Sequence, residues 1–576
     1  MRFRFTSSFG SILALACAAA GFHATPAQAC GGFFCSQVQP VNQAAERIIF
    51  ANNGDGSVTA VIQIMYEGPA ENFSWLLPIS TVPAEGDLTL ASDIAFQRLQ
   101  QATNPQYNLT TRVEGRCGGG GNNFSSPSSA SRDSANTVPA PSFGEESGVS
   151  VAASGSVGAF EWVTLALDPE LPEPADAAVR WLTDNGYDVP ESSKGLLAPY
   201  LQDQGMYLLA LRLTKGADVG SIRPIVLRYA AELPMIPIKL TAVAANDDMG
   251  VMTWVSAPAR AVPFNYLGLE LNEARINWFN AASNYEAVVT AAANDAGGQG
   301  FVTEFAGASS TLANVIWTTA DEQSFQSLKG TVYSSFGALF ESTYSQYQGW
   351  DGFWEAMERS VTLPASVRFA DFKSCPSCYS RQIQFSPSAL FAALEADVVE
   401  PVRRVQQLID AQPYLTRLYS TLSASDMTVD PVFAENADLD DVDNVHSAER
   451  VIECNDDIEQ FEAGWRIELP QGGIVRGTAN DVGNWPTALD SQPPNLRVLQ
   501  LSAAGPAGVL QDYGADIEAA LGEYNADVPR PEGSGGFCNV ALGRAQGGAG
   551  ATLGLLAAGL TAAARRRRSS ALISRR

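Results

Sequence analysis

The stretch AERIIFANNGDGSVTAVIQIMYEG, residues 45–68, can hardly fold as anything but a β-hairpin. Val58, Ala60, Ile62, Ile64 and Tyr66 recur at every second position, the period at which strand side chains share a face. Between the arms, Asn52-Asn53-Gly54-Asp55-Gly56 supplies residues that tolerate positive φ at a turn.

NFSWLLPIS predicts a further strand, ended by Pro78, and Ala91–Ala102 a short helix with Ile94 and Leu99 on one side. Residues 115–156 are rich in Gly and Ser and poor in bulky apolar side chains. Such a segment cannot bury enough surface to offset its ordering entropy, which predicts a flexible insertion. Its CGGGG run lacks the GK[ST] of a phosphate-binding loop. VGAFEWVTLAL then reads as a strand, and PEPADAAVRWLTDNGYDVP as a helix with Ala175, Ala178, Val179 and Leu182 on one face and Gly186 at C′. GMYLLALRL, IRPIVLRYA, IPIKLTAVAA and GVMTWVSA follow as four expected neighbours in one sheet.

Further on, helical spacing predominates. EARINWFNAASNYEAVVTAAANDAGGQGFVTEFAG predicts a helix followed by a glycine turn, WDGFWEAMERSV predicts another helix, and residues 385–422 are expected to be helical, with Val398, Val402, Val405 and Ile409 in register and a kink or restart at Pro401. GWRIELP and NLRVLQLS read as strands and ADIEAALGEYN as a helix. The fold class expected is α+β: a strand-rich N-terminal half with mostly antiparallel sheet, a helical middle segment and a small α/β C-terminal unit. The corresponding boundaries are 30–360, 361–465 and 466–530, flanked by 1–29 and 531–576.

Both ends carry addresses. Arg2 and Arg4, the apolar run Ile12–Ala20 and Ala27-Gln28-Ala29 form an export signal cleaved after Ala29. Cys30 follows directly, which raises a lipoprotein alternative, although Gln28 fits a lipobox poorly. Residues 547–564 are 18 positions without a charge; as a helix they would cover about 27 Å, close to the hydrocarbon thickness of a bilayer. Arg565, Arg566, Arg567 and Arg568 would then stay cytoplasmic, with the body outside. The order Gly535, Gly536, Cys538, apolar span and arginine block resembles the MYXO-CTERM sorting signal of Gram-negative surface proteins. That resemblance implies recognition by export and sorting machinery, removal of the tail, and lipid attachment near Cys538. The closing SSALISRR departs from the pattern.

Residues 30–543 keep all 62 acidic residues but only 27 of the 36 basic ones, a formal −35, which repels nucleic acid. Cys17 leaves with the signal, and Cys538 is assigned to lipidation. Cys30, Cys35, Cys117, Cys375, Cys378 and Cys454 then remain for three disulfides, as an exported chain requires. Fifteen connectivities are open; locality favours Cys30–Cys35 and Cys375–Cys378, leaving Cys117–Cys454. CGGFFC just after the signal, FSWLLPI, VGAFEWVTL followed by WLTDNGYDVP, and GMYLLALRL together resemble the DUF2330 family, over residues 30 to about 260 and onward to about 530. The resemblance implies no reaction, cofactor or active site.

Histidine usage limits the chemistry. Once His23 leaves with the signal, His446 is the one histidine, so a multi-histidine zinc centre cannot be built. No GxSxG or HExxH occurs. His446 is expected to hydrogen-bond inside a loop. SCPSCYS, with Cys375 and Cys378, is the one redox-like motif; its flanks read as strands, which puts it in a hairpin turn as a structural disulfide. Asp438, Asp440, Asp441 and Asp443 suit a weak Ca²⁺ site or a solvated acidic loop, and they lack the EF-hand pattern. No other cofactor is expected. Trp162, Trp181 and Trp254 are assigned to core rather than to a sugar platform. The function expected is an exported, membrane- or lipid-anchored envelope protein acting as a non-catalytic structural or binding module. Alternatives are an envelope thiol–disulfide oxidoreductase using Cys375 and Cys378, and a carbohydrate-active hydrolase built on paired carboxylates.

Overall fold

The computed structural model describes residues 42–529 except 68–73, 118–147, 169, 188, 190, 214–221 and 244. All of these belong to one unit that ends at Pro531. The predicted hairpin forms as strands Asn42–Asn52 and Ser57–Glu67, with Gly54 and Gly56 at positive φ in the turn. Its strands are covered on both faces: Val58, Ala60 and Ile62 enter one core, Ile49 and Val61 another. The reason is position, since the hairpin lies well inside a ten-stranded sheet. The spatial order is Gly508–Asp512, Asn495–Gln500, Leu267–Leu271, Gly300–Ala308, Tyr414–Leu422, Ala245–Ala257, Asn42–Asn52, Ser57–Glu67, Ile225–Ala230 and Leu88–Leu90. Two neighbour pairs run parallel, Asn42–Asn52 with Ala245–Ala257 and Leu267–Leu271 with Gly300–Ala308; the others are antiparallel.

On one face lies a four-stranded sheet ordered Ser74–Ile79, Tyr207–Leu213, Phe160–Leu167 and Val149–Val157, backed by the predicted helix Pro174–Asp184. The other face is covered by helix Asp93–Thr103, capped by Ser92, and by the helical middle segment from Thr319 to Asp410. A third core sits at the C-terminal end of the large sheet. There Leu269, Val302 and Val498 pack against helix Tyr285–Asp295 and a second four-stranded sheet of Ile474–Gly477, Gly464–Glu468, Val445–Glu453 and Gln106–Glu114. The fold is α+β, as expected. The ten-stranded sheet draws strands from each of the three expected segments.

Several local expectations change. Pro78 does not end its strand but sits inside it, because Ser74–Ile79 is an edge strand and one side of it needs no N–H donor. The insertion expected over 115–156 ends earlier: Val149–Val157 pairs with Phe160–Leu167. Of the four expected sheet neighbours, Tyr207–Leu213 joins the smaller sheet, Ile225–Ala230 and Ala245–Ala257 the larger one, and Ile238–Thr241 is a short helix. The helix predicted to run to residue 422 stops at Asp410; Tyr414–Leu422 is a central strand, where Leu415, Leu418 and Leu422 are fully buried. Pro401 stands in the first turn of the restarted helix Glu400–Asp410. Trp181 and Trp254 are core residues, as expected, and Trp162 is partly buried against the first core. Among the described residues no helix is long and apolar enough to cross a membrane, and the expected span 547–564 lies outside them.

Candidate functional site

Where the C-terminal end of the large sheet meets the strand pair Gln106–Glu114 and Val445–Glu453, a cleft of about 560 Å³ opens. Its inner end is built around His446. The parallel register sets His446 opposite Tyr107, and the two rings stack with centroids 4.6 Å apart and planes 10° from parallel. Nδ1 of His446 meets Oε1 of Glu273 at 2.6 Å. Glu273 follows strand Leu267–Leu271 at the start of a single 3₁₀ turn, where Asn272 accepts a hydrogen bond from the Ala274 N–H. Gln471 braces that turn: its Oε1 accepts from the Glu273 N–H at 3.2 Å, and its Nε2 donates to the Leu271 carbonyl at 3.0 Å. Indole N–H groups of Trp278 and Trp485 donate to the carbonyls of Glu273 and Ala274. The carboxylate is therefore placed by a rigid turn, not by a loose loop.

A second carboxylate lines the same cleft. Thr303 and Phe305 pair with Leu418 and Arg417, leaving Glu304 as the extra residue of a β-bulge. A bulge re-aims a side chain, and here it points an acid between two sheets. Oε1 of Glu304 accepts from the Tyr285 hydroxyl at 2.6 Å, and Oε2 lies 2.6 Å from Nε of Arg417 as a buried ion pair. Arg417 also donates to the Gln100 carbonyl and to Thr103 Oγ1, and its guanidinium lies 5.4 Å from the ring centre of Trp254. Burial raises the carboxyl of Glu304 above the usual carboxylate range, against the lowering effect of Arg417 and Tyr285. Burial, reinforced by the two nearby glutamates, pushes the phenol of Tyr107 far up; that of Tyr285 rises similarly, through burial and Glu304.

The outer part of the cleft is mixed. Glu270 pairs with Arg497 at 2.6 Å across their strands. Arg260 donates to the Asp440 carbonyl at 2.6 Å, and burial lowers its pKa. Leu439, Leu499 and Leu501 form an apolar wall. A second pocket, about 280 Å³, lies between the large sheet and strand Ser74–Ile79 and is chiefly apolar, with Phe50, Trp75, Leu77 and Met235 among its walls.

The four aspartates do not converge. Asp438 accepts from the Gly505 N–H, Asp441 from the Tyr414 hydroxyl and Asp443 from the Val445 N–H, while Asp440 gives its carbonyl to Arg260. Among the described residues no three His, Cys, Asp or Glu side chains form a metal set. Disulfides join Cys117 to Cys454 and Cys375 to Cys378. The CxxC does not sit in a hairpin turn as expected: the short antiparallel pair Val361–Thr362 and Gln384–Phe385 brackets it from a distance, and the flank ASVRFADFK is not a strand. Phe369–Ser374 and Pro376–Tyr379 are short helices, because Phe372 anchors the first in the helical core and Pro376 starts the second. Cys30, Cys35, Cys538 and Arg565–Arg568 lie outside the described residues.

His446 is hydrogen-bonded as expected, but from a strand and not within a loop. Tyr107, Glu273, Tyr285, Glu304 and Arg417 were not expected at a site. One signal was present: Glu304 and Arg417 are single charges inside apolar strand sequences, GFVTEFAGA and YLTRLYSTL, which is where buried partners would stand.

The arrangement defines an α+β protein with a polar cleft between two sheets. The family model described as an uncharacterized protein conserved in bacteria, DUF2330, matches residues 24–316, slightly more than half of the chain, and the chain belongs to that family. The match stops short of residue 530, to which the resemblance was expected to extend. No curated protein and no solved structure matches the chain.

Proposed function

We propose that this chain is an exported, envelope-anchored binding module whose ligand enters the cleft around His446 and Glu273. The cleft itself carries the reading: its polar groups stand on strands and a braced turn, so the site is formed before a ligand arrives. The export signal and the basic C-terminal tail support the address. Loss of the signal leaves His446 as the one imidazole, so its nuclear magnetic resonance signal reports on the cleft alone. A fragment library of amines, carboxylates, sugars and neutral polyols should contain a member that shifts that signal at millimolar concentration. A library in which no class shifts it would remove the binding reading. For the address, changing Arg565–Arg568 to alanine should release or mislocalise the protein, and unchanged surface retention would count against anchoring.

A carbohydrate-active hydrolase is the second reading, favoured by one observation: Glu273 and Glu304 line one cleft, and burial favours the protonated form of the second. Turnover of a glycoside that Glu304→Gln abolishes without unfolding the protein would establish it. The exposed CxxC gains less support, because the helix Cys375 leads has only four residues and offers little dipole to a thiolate.

A further inference from the structure

We infer that the cleft takes an organic cation, a primary ammonium on an apolar stem. This rests on the reading of the cleft as a ligand site. Five carboxylates line it, those of Glu270, Glu273, Glu304, Asp440 and Asp441, against the two guanidinium groups of Arg260 and Arg497. Glu270 is neutralised by Arg497 and Glu304 by Arg417, each at 2.6 Å. Glu273, Asp440 and Asp441 are left with Arg260, three carboxylates to one guanidinium, so the balance of formal charge among them is negative. An anion entering there meets repulsion; a cation does not.

Glu273 makes the demand specific. Its side chain is only 4% exposed, and its Oε1 is occupied by His446. Its Oε2 is buried and has no hydrogen-bond donor among the described residues. A buried carboxylate oxygen without a donor is costly, and an ammonium N–H is the donor that also cancels its charge. Among the described residues, the side chain of Asp441 receives only the neutral hydroxyl of Tyr414. The stem follows from the opposite wall, where Leu439, Leu499 and Leu501 present apolar surface within the same 560 Å³. Arg260, held on the Asp440 carbonyl and on Thr303, is among the described residues the one guanidinium lining the cleft without a carboxylate in salt-bridge contact, and it opposes the ligand's charge.

Isothermal titration of the chain freed of residues 1–29, in which His446 is the one histidine, with 1,5-diaminopentane tests this, alongside 1,5-pentanediol and glutarate and with mono- and diamines of three to eight carbons. At least one amine should bind with one-to-one stoichiometry, shift the His446 signal, and exceed the diol and glutarate at least ten-fold. Glu273→Gln should weaken it at least ten-fold. Arg260→Met should strengthen it, which keeps the test valid if the first variant unfolds. Diol or glutarate binding as tightly as the best amine would overturn the inference and leave the cleft a ligand site. So would amine binding that is indifferent to both substitutions, or a cleft that takes other fragments and no amine. Silence of His446 toward every class would overturn this inference and the binding reading together.

Discussion

Nδ1 of His446 lies 2.6 Å from Oε1 of Glu273, although 173 residues separate them in the chain. One stands on a strand of the C-terminal four-stranded sheet and the other on the turn after a strand of the large sheet, so the bond ties two sheets together. His446→Phe would leave a buried carboxylate with no side-chain donor among the described residues. The expected loss is about 1–3 kcal/mol of stability, read as a lower urea midpoint. His446→Gln, which can still donate, should lose less.

The Glu304–Arg417 pair is more deeply buried, at 1% and 2% side-chain exposure. Removing one partner of such a pair strands a charge. Arg417→Met should therefore cost about 3–5 kcal/mol. Glu304→Gln combined with Arg417→Met should recover most of that loss in equilibrium unfolding. A double variant as unstable as Arg417→Met alone would show that the arginine acts through packing on Trp254 and its bonds to Gln100 and Thr103.

Asp93 begins the helix against the large sheet, its backbone N–H donating to Asp351 and its carboxyl accepting from Gln63. Burial chiefly, and the neighbouring Asp351 next, raise its carboxyl to about 7, with Gln63, Arg47 and Arg223 acting the other way. The folded state thus favours the protonated acid. The stability this group contributes is present below about pH 4 and is lost as pH rises through 7. Asp93→Asn should match or trail the wild type at pH 4, gain on it between about pH 4 and 7, and level off above that, by as much as about 2–4 kcal/mol. Thermal unfolding measured across that range decides it; a constant difference would mean that Asp93 does not titrate there.

The two disulfides should differ in worth. Cys117–Cys454 closes 337 residues beyond the ends of the parallel strands Gln106–Glu114 and Val445–Glu453, whereas Cys375–Cys378 closes three. Replacing Cys117 and Cys454 together by serine should cost about 2–5 kcal/mol and lower the melting temperature. The same change at Cys375 and Cys378 should leave it nearly unmoved.

The hairpin, the helix stopped at Gly186 and the α+β class were legible because period and turn chemistry act locally. Tyr414–Leu422 was misread because leucines and tyrosines at mixed spacing suit a helix as well as a strand buried on both faces, and only its neighbours decide. The cleft was legible only as an oddity, a lone histidine. Its partners come from the turn at Glu273, the bulge at Glu304 and a strand at Tyr107, which no spacing in the sequence connects. A bulge leaves no periodic trace, and the bracing of Glu273 by Gln471 spans 198 residues.

Tyr414–Leu422 lies between Ala245–Ala257 and Gly300–Ala308 in the large sheet. Both neighbours emerge from the ribosome well before the strand that joins them. At about 5–20 residues per second, roughly ten to thirty seconds of synthesis separate the end of the first neighbour from the joining strand. From residue 308 until that strand appears, the facing edges of both neighbours stay open, and the outer edge of Leu267–Leu271 waits longer still, for Asn495–Gln500. A fragment cut at the end of the family match would keep those edges for good, so residues 24–316 expressed alone should associate with themselves or be held by a chaperone.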